Sequence, residues 1–137
     1  MSDYQFTLSL GVRDYECDLQ GIVNNGVYQN YLEHARHEFL KELGLDFAEF
    51  VKQKINLVVL RIEIDYKYPL VSGDKFFVGI NLVRISPVRF GFIQDIYRLD
   101  KKPIIKAKVI GTALNERGRP SLPKKIEEVL QKEAVVI

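Results

Sequence analysis

The sequence predicts an α+β fold, one long helix packed on a five-stranded antiparallel sheet, with residues 1–137 forming a single domain. Three observations predict it: a run of alternating apolar and polar residues near the start, one long amphipathic helical run, and four further alternating runs. A lone helix with an apolar stripe buries that stripe only against a sheet, and antiparallel strands one after another supply one.

The first strand is residues 5 to 12, where Phe6, Leu8, Leu10 and Val12 alternate with small or polar neighbours. From Arg13 to Gly26 the alternation gives way to charged, polar and glycine residues, a loop rich in side chains able to do chemistry. Val27 to Leu43 then places Tyr28, Tyr31, Leu32, Ala35, Phe39 and Leu43 at steps of three and four, with Glu33, His34, Arg36, His37, Lys41 and Glu42 elsewhere. Asn24 or Asn25 suits the N-cap of that helix, and Gly44 supplies the positive φ that commonly ends one.

Asp46 to Lys52 adds a short helical turn. Leu60, Ile62, Ile64, Tyr66 and Tyr68 then alternate with Arg61, Glu63, Asp65 and Lys67 until Pro69, a second strand. Runs at about 75 to 85, 88 to 99 and 103 to 114, parted by Ser72-Gly73-Asp74, Ser86-Pro87 and Asp100 to Pro103, read as an antiparallel meander. Asn115 to Pro123 is a loop, and Lys124 to Lys132 carries a helical pattern through Ile126, Val129 and Leu130.

Composition excludes several classes of function. Apolar residues at 47% and charged residues at 28% are the profile of a folded globular chain. A net charge of +2 is too small to argue for nucleic acid or an anionic membrane as partner. No window approaches the ~20 apolar residues of a membrane span, and the first residues lack a basic segment followed by an apolar run, so a cytoplasmic location is expected. The one cysteine, Cys17, is compatible with a reducing compartment. Its neighbours Glu16 and Asp18 disfavour a thiolate there, which argues against a catalytic role.

The ordered series Glu16, Asp18, Gly21, Ile22, Val23, Tyr28, Glu33, Ala35 and Arg36 resembles the hotdog-fold thioesterases of the 4-hydroxybenzoyl-CoA type. That family's pattern is an acidic residue, any residue, Asp, two residues, Gly, two aliphatics, a short polar stretch, Tyr, and Glu-x-Ala-Arg on the helix. Arg61 to Tyr66 through Pro69, Gly73-Asp74, and Gly118 to Pro123 are similar to later family segments, so the likeness spans nearly the whole chain. One departure is Asn25, where many relatives have His; the Asn24-Asn25 version resembles a branch acting on acyl-CoA or acyl-carrier substrates.

The resemblance implies hydrolysis of acyl-CoA thioesters with no cofactor, in a dimer or tetramer whose sites lie at a seam between two chains, with the acyl group in an apolar tunnel beside the helix. It also implies that Arg89 contacts the nucleotide of coenzyme A, with Arg84, Lys101, Lys102, Arg117 and Arg119 as rivals. Gly21 and Asn24 join it as expected substrate contacts.

The chemistry follows from residue types as well. A thioester carbonyl needs a nucleophile or an activated water on one side and donors for the developing oxyanion on the other. Asp18 stands just ahead of a helix N-terminus, where the backbone N–H groups of Gly26, Val27 and Tyr28, beside Asn25, favour negative charge. Asp18 either attacks the carbonyl or activates water, and its residue type alone equally suits a turn or a cap. Asn24 and Asn25 are read as caps, as substrate contacts, or as both. Tyr28 and Tyr31 belong to the core stripe. Glu33 and Arg36 are placed to pair across one helical turn. His34 and His37 lack partners for a metal, and no metal site is expected. An acyl-thioester binding module without turnover and an enoyl or 3-hydroxyacyl thioester hydratase are the rival readings; the second needs an Asp-His pair that His34 and His37 do not supply.

Overall fold

The alternating runs pair into one antiparallel sheet whose inner face meets the helix. The structure, a computed structural model, describes residues 3–135. Its strands are β1 (Phe6–Gly11), β2 (Asn56–Tyr66), β3 (Lys75–Ser86), β4 (Arg89–Arg98) and β5 (Pro103–Leu114); its helices are α1 (Asn25–Glu42), α2 (Phe47–Lys52) and α3 (Lys124–Glu133). The strand order is β1-β3-β4-β5-β2, so β3, β4 and β5 form the meander while β1 and β2 become the two edges.

The registers put one apolar set on one face. Phe76, Val78, Ile80 and Leu82 of β3, Phe92 and Ile96 of β4, and Ile105, Ala107 and Val109 of β5 are all buried. They face Tyr28, Tyr31, Leu32, Ala35, Phe39 and Leu40 of α1. Each such large side chain taken out of water contributes on the order of 1.5–3 kcal/mol. Phe39 stacks on Phe6 at 5.6 Å and meets Phe92 edge-on at 6.4 Å, joining helix, edge strand and meander in one cluster.

Both helix boundaries follow the sequence signals. Asn24 caps α1 by accepting from the Gly26 N–H at 3.1 Å, and Gly44, at φ +82°, follows the C-cap Leu43. The Asp46 carboxylate accepts from the N–H groups of Ala48 and Glu49 and so starts α2. Helix α3 closes the far end of the core with Ile126 and Leu130, and the Val135 N–H donates to the Leu82 carbonyl at 2.8 Å.

The second strand differs from expectation. It begins at Asn56 instead of Leu60 and ends at Tyr66 instead of running to Pro69. A bulge causes the early miss: Val59 pairs with Gly111 and Arg61 with Ile110, so Leu60 has no partner and the alternation changes phase. At the other end the N–H groups of Lys67 and Tyr68 both reach the Ile104 carbonyl, after which Pro69 has no donor to continue the ladder. A 3-10 turn at Asp14–Glu16, not foreseen from sequence, carries the chain from β1 toward α1.

The helix does not sit centrally. It packs most closely on β3 and β1. The inner residues of the other edge, Leu57, Ile62 and Ile64 of β2, are therefore only half-buried. An open seam runs along the molecule between α1 and β2.

Gly111 shows how closely the backbones pack. A Cβ there would lie 2.9 Å from the Val58 carbonyl oxygen of β2. Gly111→Ala is expected to lose about 1–3 kcal/mol by forcing β5 and β2 apart. Urea unfolding measures it; an unchanged midpoint would show that the two strands separate freely.

Candidate active site

The loop expected to carry chemistry is a small hairpin. The Asp18 N–H donates to the Ile22 carbonyl at 2.9 Å, the Gly21 N–H to the Asp18 carbonyl at 3.0 Å, and Cys17 bridges to Val23. Gly21 takes φ +82°, a conformation only glycine adopts without strain, and so turns the chain back. Asp18 occupies the exposed tip, where one carboxylate oxygen accepts from the Gln20 N–H at 2.8 Å.

Beneath the tip the loop is pinned to the core. The Glu16 carboxylate, only 10% exposed, accepts from the Tyr31 hydroxyl at 2.7 Å and from the Arg13 N–H at 2.8 Å, with the Arg13 guanidinium at 3.7 Å. Its carbonyl accepts from the Asn24 N–H at 3.0 Å. Burial and the neighbouring Glu16 carboxylate push the Tyr31 hydroxyl far above its ordinary range, so it remains a proton donor to Glu16. Asp18 at the tip and Asn24 at the head of α1 therefore hold fixed positions on one framework.

The start of α1 departs from the reading of Gly26, Val27 and Tyr28 as three free donors. The Gly26 N–H is taken by the Asn24 side chain and the Val27 N–H by the Asn24 carbonyl at 2.9 Å. The Asn25 and Tyr28 N–H groups are the ones in this turn with no geometric hydrogen bond among the described residues, so Tyr28 stays open as expected and Asn25 joins it. Above it, a Cβ placed on the exposed Gly26 would meet nothing closer than the Asn24 side-chain oxygen at 3.8 Å. Nothing among the described residues requires glycine there.

A cleft of about 220 Å³ lies beside this helix start, lined by Ile22, Val23, Asn25, Tyr28 and the segment Tyr66 to Pro69. Asn25 and Tyr28 are thus brought together, while Asp18 is on the loop above and outside the lining. Tyr28 is structural in its side chain: it is 3% exposed and its hydroxyl accepts from the Leu70 N–H at 3.0 Å. Burial raises its pKa, the Leu70 donor acting the other way.

The sequence marks Tyr66 to Pro69 as the end of a strand within a family-like segment, with no role at the site. They become a wall of the cleft because β2 stops at Tyr66 and the chain must turn toward Leu70. The Lys102 ammonium lies 4.5 Å from the Tyr68 ring centre, and the Arg98 guanidinium 5.5 Å, with Arg98 also forked onto Asp100.

Other expected contacts lie elsewhere. Arg89 is exposed at the start of β4, the end opposite Ile96, which pairs with Ile105 beside the cleft end of the sheet. Arg84 is ion-paired with Glu127 of α3. The Glu33 and Arg36 pair does not form: Arg36 is buried and donates to Gln94 at 3.0 Å, because its position turns it into the core while Glu33 faces solvent. His34 and His37 are both exposed, His37 against the Phe47 ring.

Comparison with known proteins agrees with this architecture. Residues 12–132 match the family model described as the thioesterase-like superfamily. The chain is 39% identical over 121 residues to acyl-acyl carrier protein thioesterase ATL3 of Arabidopsis thaliana, which covers 88% of this chain but only 63% of that protein. A 1,4-dihydroxy-2-naphthoyl-CoA hydrolase of Synechococcus elongatus is 26% identical over 137 residues, covering 96% of this chain and 97% of that one. A crystal structure of an Aquifex aeolicus protein superposes with a TM-score of 0.83 at 33% identity, covering 91% of this chain and 98% of that one. No helix among the described residues is long and apolar enough to cross a membrane.

Removing the Tyr28 hydroxyl tests how the cleft is held. Tyr28→Phe leaves the Leu70 N–H buried and unsatisfied, with an expected loss of about 1–3 kcal/mol. The denaturation midpoint should fall with the slope unchanged; an unmoved midpoint would mean that Leu70 finds another acceptor.

Proposed function

We propose, from the premise that this chain belongs to the thioesterase-like superfamily, that it hydrolyses acyl thioesters, releasing a free acid and a thiol. The observation that carries the reading is the pairing of an exposed carboxylate, Asp18, with an open helix start at Asn25 and Gly26 on one pinned framework. In this reading the Asn25 N–H and the positive end of α1 polarise the thioester carbonyl. The Asp18 oxygen not held by Gln20 either takes a proton from the attacking water or attacks the carbonyl itself.

On the first route hydroxide adds to the carbonyl carbon, the C–S bond breaks, and the proton held by Asp18 goes to the leaving thiolate. On the second an acyl–Asp18 anhydride forms as thiolate leaves, and water then cleaves it. Both end in acid plus thiol. Gly21 keeps Asp18 at the loop tip, Asn24 caps α1 so that Asn25 is presented, and Gly26 leaves room for a bulky thioester against the helix.

Asp18 and the cleft do not close on each other within one chain, which favours a site completed by a second copy. Edge strand β2 supports that: its outer edge is unpaired, and Val59, Leu60 and Tyr66 are 49%, 47% and 48% exposed. A second chain against β2, as a dimer or within a tetramer, would bring its own Arg89 toward a cleft that this chain's Arg89 does not reach. Lys67 on the cleft wall and Lys102 over Tyr68 suit the phosphates of coenzyme A or of a carrier-bound pantetheine arm. The relatives named for acyl-carrier and for CoA thioesters support both carriers. A cytoplasmic setting is compatible with the one free thiol, Cys17.

A thiol-release assay over short, long and aromatic acyl-CoAs and acyl-carrier proteins tests the reading. Asp18→Asn is expected to lower kcat at least ~100-fold with folding intact. Full activity in that variant would sink the mechanism, and acyl-CoA binding without thiol release in the parent chain would select a binding module. Gly26→Ala separates fit from folding: stability should hold or rise by up to ~1 kcal/mol, since alanine favours helix. Its kcat/KM should drop about tenfold or more, because the added methyl occupies the approach to the Asn25 N–H; unchanged turnover would place the thioester elsewhere.

A further inference from the structure

The cleft holds about 220 Å³, below the roughly 300 Å³ at which pockets that enclose a whole small ligand begin. On the reading proposed above, on which this inference rests, it receives the thioester end of the substrate. The rest of the thiol carrier then lies outside, on the rim.

Three turns build that rim beyond the end of β2, and they are tied to one another. The hairpin that carries Asp18 bridges to the next turn through Ile22 and Val71, and the Ser72 hydroxyl donates to Asp14. The Leu99 N–H donates to the Lys75 carbonyl at 3.0 Å, and the Lys102 ammonium stands over Tyr68 of the cleft wall. Each turn leaves a large apolar side chain in water: Tyr15, 79% exposed, and Leu19, fully exposed, on the hairpin, then Val71 at 43% and Leu99 at 57%. None of the four lines the cleft, so none is there to hold the acyl group. Exposed apolar residues scattered singly need no explanation, whereas four on joined turns around one cleft mark a contact surface.

The same turns are basic. Residues 67–75 and 98–102 carry Lys67, Lys75, Arg98, Lys101 and Lys102 against Asp74 and Asp100. Both of those carboxylates are engaged, Asp74 by the Val71 N–H and Asp100 by the Arg98 fork. The four lysines are exposed, and none is paired with a carboxylate among the described residues. On the hairpin Asp14 is held by Ser72 and Glu16 by Tyr31, while Asp18 serves the reaction.

A free coenzyme would use the lysines through its phosphates and leave Tyr15, Leu19 and Leu99 as wet as before. A protein with carboxylates set among apolar side chains uses both. We propose that the rim is the docking surface for such an acidic carrier protein, whose pantetheine-type arm reaches from the rim into the cleft with the acyl thioester at its end. Water gives OH to the acyl carbon and a proton to the sulfur, the C–S bond breaks, and the carrier leaves with a free thiol on its arm.

Thiol release from an octanoyl-loaded acidic acyl carrier protein, compared with octanoyl-pantetheine, tests the docking, since both present the same thioester and only one presents a protein. The carrier should have a kcat/KM about tenfold or more higher. A variant combining Tyr15→Ser, Lys75→Glu and Leu99→Ser should lose that advantage, chiefly through KM, while octanoyl-pantetheine stays within about twofold. Equal kcat/KM for the two substrates in the parent chain, or a variant that keeps the preference, would overturn the proposal. Amide NMR of the parent chain with the carrier lacking its arm decides the case without turnover, and even if the variant does not fold. The amides of Tyr15, Lys75 and Leu99 should shift, and that of Val51, exposed on α2, should stay. Shifts confined to α2 and α3, or none at all, would overturn the docking. If no thioester releases thiol while the rim shifts persist, the hydrolysis reading falls and the docking stands. A fall in the sedimenting mass of the variant would assign the rim to a second copy. Binding to vesicles of anionic phospholipid that the variant loses, with carrier turnover unchanged, would assign it to a membrane surface; either result overturns the proposal.

Discussion

Everything functional in this molecule depends on a mismatch of width: one helix is buried by one sheet, and the sheet is wider than the helix. Helix α1 gains most of its burial over β3 and β1, where Phe76, Val78 and Ile80 are fully covered. On the other side Leu57, Ile62 and Ile64 of β2 are left half-covered. Hydrophobic burial fixes α1 firmly along one side and leaves a seam along the other, and the cleft lies on that seam. An arrangement that buried all five strands equally would bury more apolar surface and would leave no opening along the helix.

The head of α1 is held by polar contacts where the apolar ones run out. Glu16 ties the loop to Tyr31, Asn24 accepts two backbone donors, and Tyr28 accepts from Leu70. Each bond contributes on the order of 1 kcal/mol, and leaving the buried Leu70 N–H without the Tyr28 hydroxyl costs more than that. Together they confine a flexible-looking segment to one geometry. What they do not use is the Asn25 N–H and the space above Gly26, and those unspent features are the ones able to meet a ligand.

Much of the fold is legible in the sequence because period and punctuation agree. Asn24 and Gly44 bound α1 by chemistry that any helix needs, and the meander follows turns of glycine, proline and aspartate. Legibility fails where tertiary geometry overrides the local pattern. The bulge at Leu60 changes the phase of β2, so adjacent apolar residues upstream hide the true start of the strand. Of the candidate site, Asp18, Gly21 and Asn25 are candidates by residue type and order alone. The wall from Tyr66 to Pro69 could not, since its role depends on where β2 ends in space. Likewise the helical spacing of Glu33 and Arg36 permits a surface pair, and only the position of Gln94 across the core shows that Arg36 turns inward instead.

That inward turn bears on how the chain divides its helix between tasks. The first turn of α1 offers the Asn25 N–H at an exposed end, where charge is cheap to bring in and to release, as the proposed reaction requires. Eleven residues on, the same helix turns a guanidinium toward the core, where Gln94 accepts one of its N–H groups at 3.0 Å. Gln94 matters to this because it accepts from Arg36 while its own amide donates to the Leu32 carbonyl, which ties the guanidinium to the helix backbone. The hydrogen-bond chain from the α1 backbone through Gln94 to Arg36 thus joins helix and sheet through polar groups in the middle of the core, well along the helix from the loop that Glu16 and Asn24 hold.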